Sequence, residues 1–141
     1  MDKVAVVYWS GTGNTEKMAR AVLEGARATG TEAELYSARE FKAAKMKEFD
    51  AFAFGCPAMG AEVLEEFVFE PMFEECEEKL SGKKTAIFGS YGWGSGEWME
   101  DWERRVKADG ARLVSAPVIC NEAPDADGLE ACKKLGAALV S

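Results

Sequence analysis

Histidine is absent from the 141 residues, which removes Ser-His-Asp and Cys-His catalysis and deprives zinc of its commonest nitrogen ligand. Cysteine is sparse. Cys56, Cys76, Cys120 and Cys132 form no C-x-x-C pair, reach no disulfide-scaffold density and lack the C-x5-R spacing of a thiol phosphatase. No apolar run approaches membrane-spanning length, and the N-terminus shows no charged region followed by a signal-type apolar segment, so a reduced, cytoplasmic setting is expected. Positive charge is in short supply as well: 17 Lys and Arg stand against 25 Asp and Glu, a formal net charge of −8. Nucleic acid and anionic membranes, both bound through clustered cations, are excluded as expected partners. No metal site is expected, and any chemistry falls to a bound cofactor.

What is present begins with Val4-Ala5-Val6-Val7-Tyr8, a short, β-branched, unalternating run that suits a strand buried on both faces. It leads into Trp9-Ser10-Gly11-Thr12-Gly13-Asn14-Thr15, after which a helical pattern starts. Gly11 and Gly13 allow a tight turn, Ser10, Thr12, Asn14 and Thr15 supply hydroxyl and amide groups, and the free N–H groups of the following helix favour an anion. No Lys or Arg lies between Val4 and Thr15, so a single phosphate suits the loop better than a polyphosphate. Glu16 stands where the dinucleotide fingerprint needs its last glycine, and the Gly-Lys-Ser/Thr of a P-loop is missing. By itself the loop fits an ordinary helix cap as well as a phosphate site.

Further along, Met18, Ala19, Val22, Leu23 and Ala26 fall at helical spacing before Gly30, and Glu32 to Ser37 reads as an outer strand. A polar connector with Phe41 and Met46 precedes a second buried strand, Ala51 to Gly55, which empties into Cys56-Pro57-Ala58-Met59-Gly60-Ala61-Glu62. A short helix is predicted over Phe73 to Leu80, then a third buried run over Thr85 to Ser90 that opens into Tyr91-Gly92-Trp93-Gly94-Ser95-Gly96. A helix carrying Trp98, Met99, Trp102 and Val106 on one face follows and stops near Gly110. The last strand spans Leu113 to Cys120, broken by Pro117, and Asp125 to Val140 closes the chain as a helix. This alternation predicts one α/β domain over 1–141, with a five-stranded parallel sheet in the order 2-1-3-4-5. Ligands of such sheets sit beyond the carboxyl ends of the strands, where the Ser10, Met59 and Trp93 loops converge. A phosphate loop plus a large aromatic among glycines suits a mononucleotide with a flat ring.

Ser10-Gly11-Thr12-Gly13-Asn14-Thr15 resembles the flavodoxin phosphate-loop signature, Thr/Ser-x-Thr-Gly-x-Thr. Ala58-Met59-Gly60 with Glu62, and Gly89-Ser90-Tyr91-Gly92-Trp93-Gly94, look like the two flavin-flanking loops of short-chain flavodoxins from anaerobic bacteria. The resemblance implies a flavodoxin-like three-layer sandwich and FMN as cofactor. It places the phosphate on Ser10, Gly11, Thr12, Gly13, Asn14 and Thr15, Trp93 on the outer face of the isoalloxazine and Met59 on the inner face. It further implies that Glu62 accepts from flavin N3–H and that backbone groups of the loop Tyr91, Gly92, Trp93 and Gly94 meet the pyrimidine edge, with Ser90, Ala58 and Ala61 also among the cofactor-binding residues. The Gly60 backbone carbonyl would turn toward flavin N5. Pro57 and Ala61 depart from the family pattern, the first removing a hydroxyl, the second altering the turn beside N5.

The function these features imply is a low-potential one-electron carrier, not an enzyme, in which FMN cycles mainly between semiquinone and hydroquinone. One hydrogen bond at N5 is worth about 1 kcal/mol net, which shifts a one-electron potential by tens of millivolts on the scale of about 59 mV per tenfold. The acidity of Glu62, Glu65, Glu66 and Asp101 is expected to oppose the anionic hydroquinone. An FMN-dependent NAD(P)H or quinone reductase of the same fold is the alternative, and a receiver domain is excluded because Tyr8-Trp9-Ser10 and Gly55-Cys56 leave no acidic phosphoacceptor at the strand ends. Trp98 and Trp102 read as core, Cys56 as a small buried residue, and Trp9 as either a wall of the phosphate site or plain packing. The Glu-rich span from Glu62 to Glu78 reads as a solvated face or as a docking face for basic redox partners, and the carrier is expected to be a monomer.

Overall fold

A computed structural model describes residues 3–140. The buried runs form the strands β1 (Lys3–Tyr8), β3 (Ala51–Gly55) and β4 (Lys84–Tyr91), with β2 (Glu32–Ser37) outside β1. Val4–Val7, Ala51–Gly55 and Thr85–Ser90 are buried on both faces, as parallel strands covered by helices must be. Every pairing is parallel, and the order β2-β1-β3-β4-β5 agrees with the sequence pattern.

The fifth position differs in detail. It is held by two short strands, β5 (Arg112–Leu113) beside the start of β4 and β6 (Val118–Asn121) beside its end, so the sheet has six strands. Pro117 explains the division, because it has no N–H to donate to the ladder and is tolerated only on such an edge.

Helices α1 (Asn14–Arg27) and α4 (Ala126–Ala138) cover one face, and α2 (Phe69–Glu77) and α3 (Glu97–Ala108) cover the other. Trp98 and Trp102 lie in the second of these layers, nearly inaccessible, as their spacing on α3 predicts. The connector before β3 is less polar than expected. It forms a 3-10 turn over Ala43–Glu48 and buries Phe41, Met46 and Phe49.

Helix α2 starts four residues earlier than its hydrophobic pattern suggests. Pro71 is its third residue, where a missing N–H breaks no intrahelical bond. The start is fixed by Glu65, whose carboxylate accepts from the N–H groups of Phe67, Val68 and Phe69 at 2.9, 2.8 and 2.7 Å. Burial pushes this carboxyl up, but the three N–H donors outweigh it and hold it below the usual range. Glu70 and Glu77 are likewise engaged inside the fold, both gripping Arg105 of α3, with N–O distances of 2.6–2.9 Å. The acidic span is therefore in part an internal fastening between α2 and α3.

Two features of this packing are directly testable. A Cβ on Gly25 of α1 would lie 1.9 Å from the Lys133 carbonyl oxygen, and one on Gly136 of α4 would lie 2.0 Å from that of Val22. Gly136→Ala is expected to force the helices apart and cost roughly 1–3 kcal/mol, read as a lower urea midpoint. Asp109, at the end of α3, is pushed from 3.8 up to about 6 by burial and by the Glu77 carboxylate beside it. The folded state thus favours its protonated form, and that contribution is lost as pH rises from 3.8 through about 6. Asp109→Asn should raise the urea midpoint at pH 7, with the gain vanishing as pH falls toward 4.

Candidate functional site

Three loops leave the carboxyl edge of the sheet side by side, because the ladder continues past the strand ends. Trp9 N–H donates to the Gly55 carbonyl at 3.0 Å, Cys56 N–H to that of Phe88 at 3.1 Å, and Ala58 N–H to that of Ser90 at 3.0 Å. The residues singled out after β1, β3 and β4 are therefore brought to one edge.

In the first loop Ser10 turns its hydroxyl inward, accepting from Gly13 N–H at 3.0 Å and Glu16 N–H at 3.3 Å. Gly13 is the N-cap of α1 at φ 95° and has no side chain to cap with; Ser10 and Thr12 take that part, Thr12 Oγ1 accepting from Asn14 N–H at 3.4 Å, and the helix opens toward the loop. Thr12 and Gly11 are exposed and Asn14 is half-buried. The Trp9 ring lies over Gly11, with Cη2 3.2 Å from where a Cβ would be, and also packs on the core. It is wall and packing at once.

Thr15 is buried and bonds across to the third loop: its Oγ1 lies 2.8 Å from Ser90 Oγ and accepts from Ser90 N–H at 3.3 Å. Two hydroxyls that share one bond leave one O–H proton undirected, whichever of them donates. This pair stands where the first and third loops face a common cavity of about 480 Å³, within the range of small-ligand sites. Thr12, Asn14, Ala58, Ser90, Tyr91 and Gly92 border it, as the sequence pattern anticipates. Pro57, the departure from the family pattern, borders it too, as do two residues outside the expected site, Glu122 and Ala123. The signal for the last two was available, since Asn121-Glu122-Ala123 ends the fifth strand position at the same sheet edge. Glu122 has a positive φ of 57°, and its N–H donates to the Tyr91 carbonyl at 2.7 Å.

The second and third loops continue beyond the residues that border this cavity. Trp93 is 70% exposed between glycines, Met59 is half-buried, and Gly60 and Ala61 are exposed. Glu62 N–H donates to the Met59 carbonyl at 2.8 Å, closing a turn around Gly60-Ala61 in which neither residue has positive φ. Glu62 itself does, at 55°. Its Oε2 accepts from Trp98 N–H at 3.1 Å, so this carboxylate caps α3, whose own N-cap, Gly96, offers no side chain. The other oxygen, Oε1, occupies space that a Cβ on Gly94 would fill, at 1.7 Å.

Cys56 lies behind these loops, fully buried, its sulfur accepting from Glu65 N–H at 3.4 Å, and burial pushes its thiol well above the ordinary range. A thiol in that state is a packing residue, not a nucleophile. Glu65, expected among the carboxylates facing a ring, is turned instead onto the start of α2.

The flavodoxin family profile matches residues 6–136. A flavodoxin of Megasphaera elsdenii is 44% identical over 135 residues, 96% of each chain, and one of Clostridium beijerinckii is 47% identical over 120 residues, 85% of this chain and 87% of that protein. The solution structure of two-electron reduced Megasphaera elsdenii flavodoxin superposes with a TM-score of 0.88 at 45% identity, over 96% of this chain and 97% of the other. A flavodoxin from the domain Archaea gives 0.86 at 30% identity, over 97% and 95%.

The contact between Gly94 and Glu62 yields a prediction for the chain alone. Gly94→Ala should expel the Glu62 carboxylate, leave Trp98 N–H without its charged acceptor and cost roughly 1–3 kcal/mol, measured by urea unfolding.

Proposed function

Because the chain belongs to the flavodoxin family of electron-transfer proteins, we propose that it is a low-potential carrier of single electrons that binds FMN and cycles mainly between the one- and two-electron-reduced forms of that cofactor. The observation that carries this reading is the cavity itself, bordered by Thr12 and Asn14 of the uncharged loop and by Tyr91 and Gly92 of the third loop, whose next residue, Trp93, stands exposed. When bound, FMN supplies the redox chemistry; everything else is done by the chain. The relatives matched end to end are flavodoxins, so the reductase alternative is not favoured.

Ser10, Gly11, Thr12, Gly13, Asn14 and Thr15 hold the phosphate through hydroxyls, amides and the α1 N-terminus, without a counter-charge. Ser90, which borders the cavity, keeps its O–H free for the cofactor when Thr15 donates the bond the two hydroxyls share. Trp93 and Met59 enclose the ring and exclude water, and backbone groups of Tyr91, Gly92 and Gly94 meet its pyrimidine edge. Glu62 Oε1 accepts from ring N3–H while Oε2 stays on Trp98, so one carboxylate orients the cofactor and caps a helix. Its charge, half-buried beside the ring, opposes a second added electron and keeps that potential low.

The Gly60 carbonyl would hold the N5 edge of the ring as a hydrogen-bond acceptor. With Gly60 and Ala61 both at negative φ, rotating the peptide between them gives a type II turn and moves Ala61, not Gly60, to positive φ. Ala61 thus resists the rotation by about 1–2 kcal/mol. Basic faces of redox partner proteins would dock over the exposed carboxylates Glu66, Glu97 and Glu100 around the rim, with the carrier a monomer.

Stepwise anaerobic reduction of the FMN-loaded protein tests the reading. A one-electron stage, visible as long-wavelength absorbance near half reduction, is expected; direct passage to the fully reduced spectrum would refute it. Trp93→Ala should weaken FMN at least tenfold and raise the second potential. Ala61→Gly should raise the first potential by tens of millivolts and leave the second nearly unchanged.

A further inference from the structure

Four large hydrophobic side chains are exposed among the described residues: Val63 at 44%, Phe67 at 85%, Trp93 at 70% and Ile119 at 40%. They are not scattered. Val63 and Phe67 lie on the segment between β3 and α2, Trp93 on the loop after β4, and Ile119 on β6 opposite Gly89, so all four rim the carboxyl edge of the sheet. Trp93 has a place in the proposed cofactor site, whereas Phe67 has none. The chain that presents Phe67 is anchored, since its N–H donates to buried Glu65 at 2.9 Å and Phe69, two residues on, is fully buried. An aromatic ring held in solvent by a fixed backbone is prearranged for contact.

We propose that Phe67, backed by Val63, is the apolar anchor of a docking surface for a redox partner protein whose contact face carries an exposed aliphatic or aromatic side chain within a ring of lysines and arginines. The proposal rests on the electron-carrier reading above. Charge selects the partner: the chain carries −8, and the exposed Glu66, Glu97 and Glu100 lie along the same rim. Charge also sets its orientation. Arg39 and Lys42 stand across a cleft of about 290 Å³ on the other flank of Phe67, with Glu75 also on its wall. A basic face is drawn toward the carboxylates and away from those two cations, which places the contact between Phe67 and Trp93. Phe67 then supplies the dehydrated centre that carboxylates alone do not.

The test uses the FMN-loaded protein, reduced anaerobically and mixed with cytochrome c, a lysine-rich haem protein, or with ferricyanide as a small acceptor. Phe67→Ser should lower the second-order rate with cytochrome c at least threefold and weaken the complex by a similar factor in low-salt calorimetric titration. The ferricyanide rate, FMN affinity and urea midpoint should match the parent, and Phe67→Leu should restore most of the loss. An unchanged cytochrome c rate would overturn the proposal, as would an equal loss toward both acceptors. So would a dimer of the parent in sedimentation that Phe67→Ser abolishes, because the occupant would then be a second copy. Failure of the carrier reading has a separate signature: the parent itself would take up no FMN or pass no electron to ferricyanide, and the proposal would fall with it.

Discussion

The site depends first on the register of three parallel strands. Tyr8 lies beside Gly55 and Gly55 beside Phe88, so β1, β3 and β4 reach the carboxyl edge together. The backbone bonds from Trp9, Cys56 and Ala58 carry that alignment beyond the strands. A slip of one residue would turn every buried strand side chain to the opposite helix layer, so the cores on both faces oppose it. The position of Thr15 against Ser90, the only side-chain bond joining the first loop to the third among the described residues, follows from this alignment.

A second theme is the separation of charge from the phosphate end. The loop of residues 9–15 contains no ionisable side chain, while Glu62, Glu65 and Glu66 follow β3 and Glu97 and Glu100 open α3. Several of these have internal duties: Glu62 caps α3, Glu65 caps α2, and Glu70 and Glu77 hold Arg105. A carboxylate bound to helix N–H groups has part of its field cancelled by them, so Glu65 charges its surroundings less than its position in the sequence suggests. Glu62 retains one oxygen for a ligand.

The strands, their order and the three loops were legible because buried parallel strands write themselves as unbroken apolar runs and the sheet rule places their loops. The Trp98/Trp102 spacing on α3 was legible for the same kind of reason. What escaped depended on tertiary partners. The start of α2 is set by Glu65 reaching forward across a turn, which hydrophobic periodicity does not register. Phe41, Met46 and Phe49 are isolated in a polar stretch, and only the neighbouring sheet shows that they are core. Glu122 and Ala123 are a different case: they end the fifth strand position, so the same sheet rule places them at this edge, where Glu122 N–H meets the Tyr91 carbonyl.

Helices α1 and α3 both begin at glycines, in contrast to α4, where Asp125 caps Gly128 N–H at 2.8 Å. At α1 the Ser10 hydroxyl takes the Gly13 and Glu16 N–H groups and Thr12 Oγ1 takes that of Asn14, so a ligand in the loop would meet hydroxyls and the field of the helix rather than a ring of bare N–H groups. Binding at that loop and folding would be linked equilibria: whatever occupies it adds its binding free energy to the native state alone. Loaded and unloaded chains would differ in heat tolerance and in resistance to proteases, by about 2.7 kcal/mol when free cofactor stands at a hundred times its dissociation constant. In a cell short of flavin, the abundance of this protein would follow the supply of its cofactor, with no regulator needed.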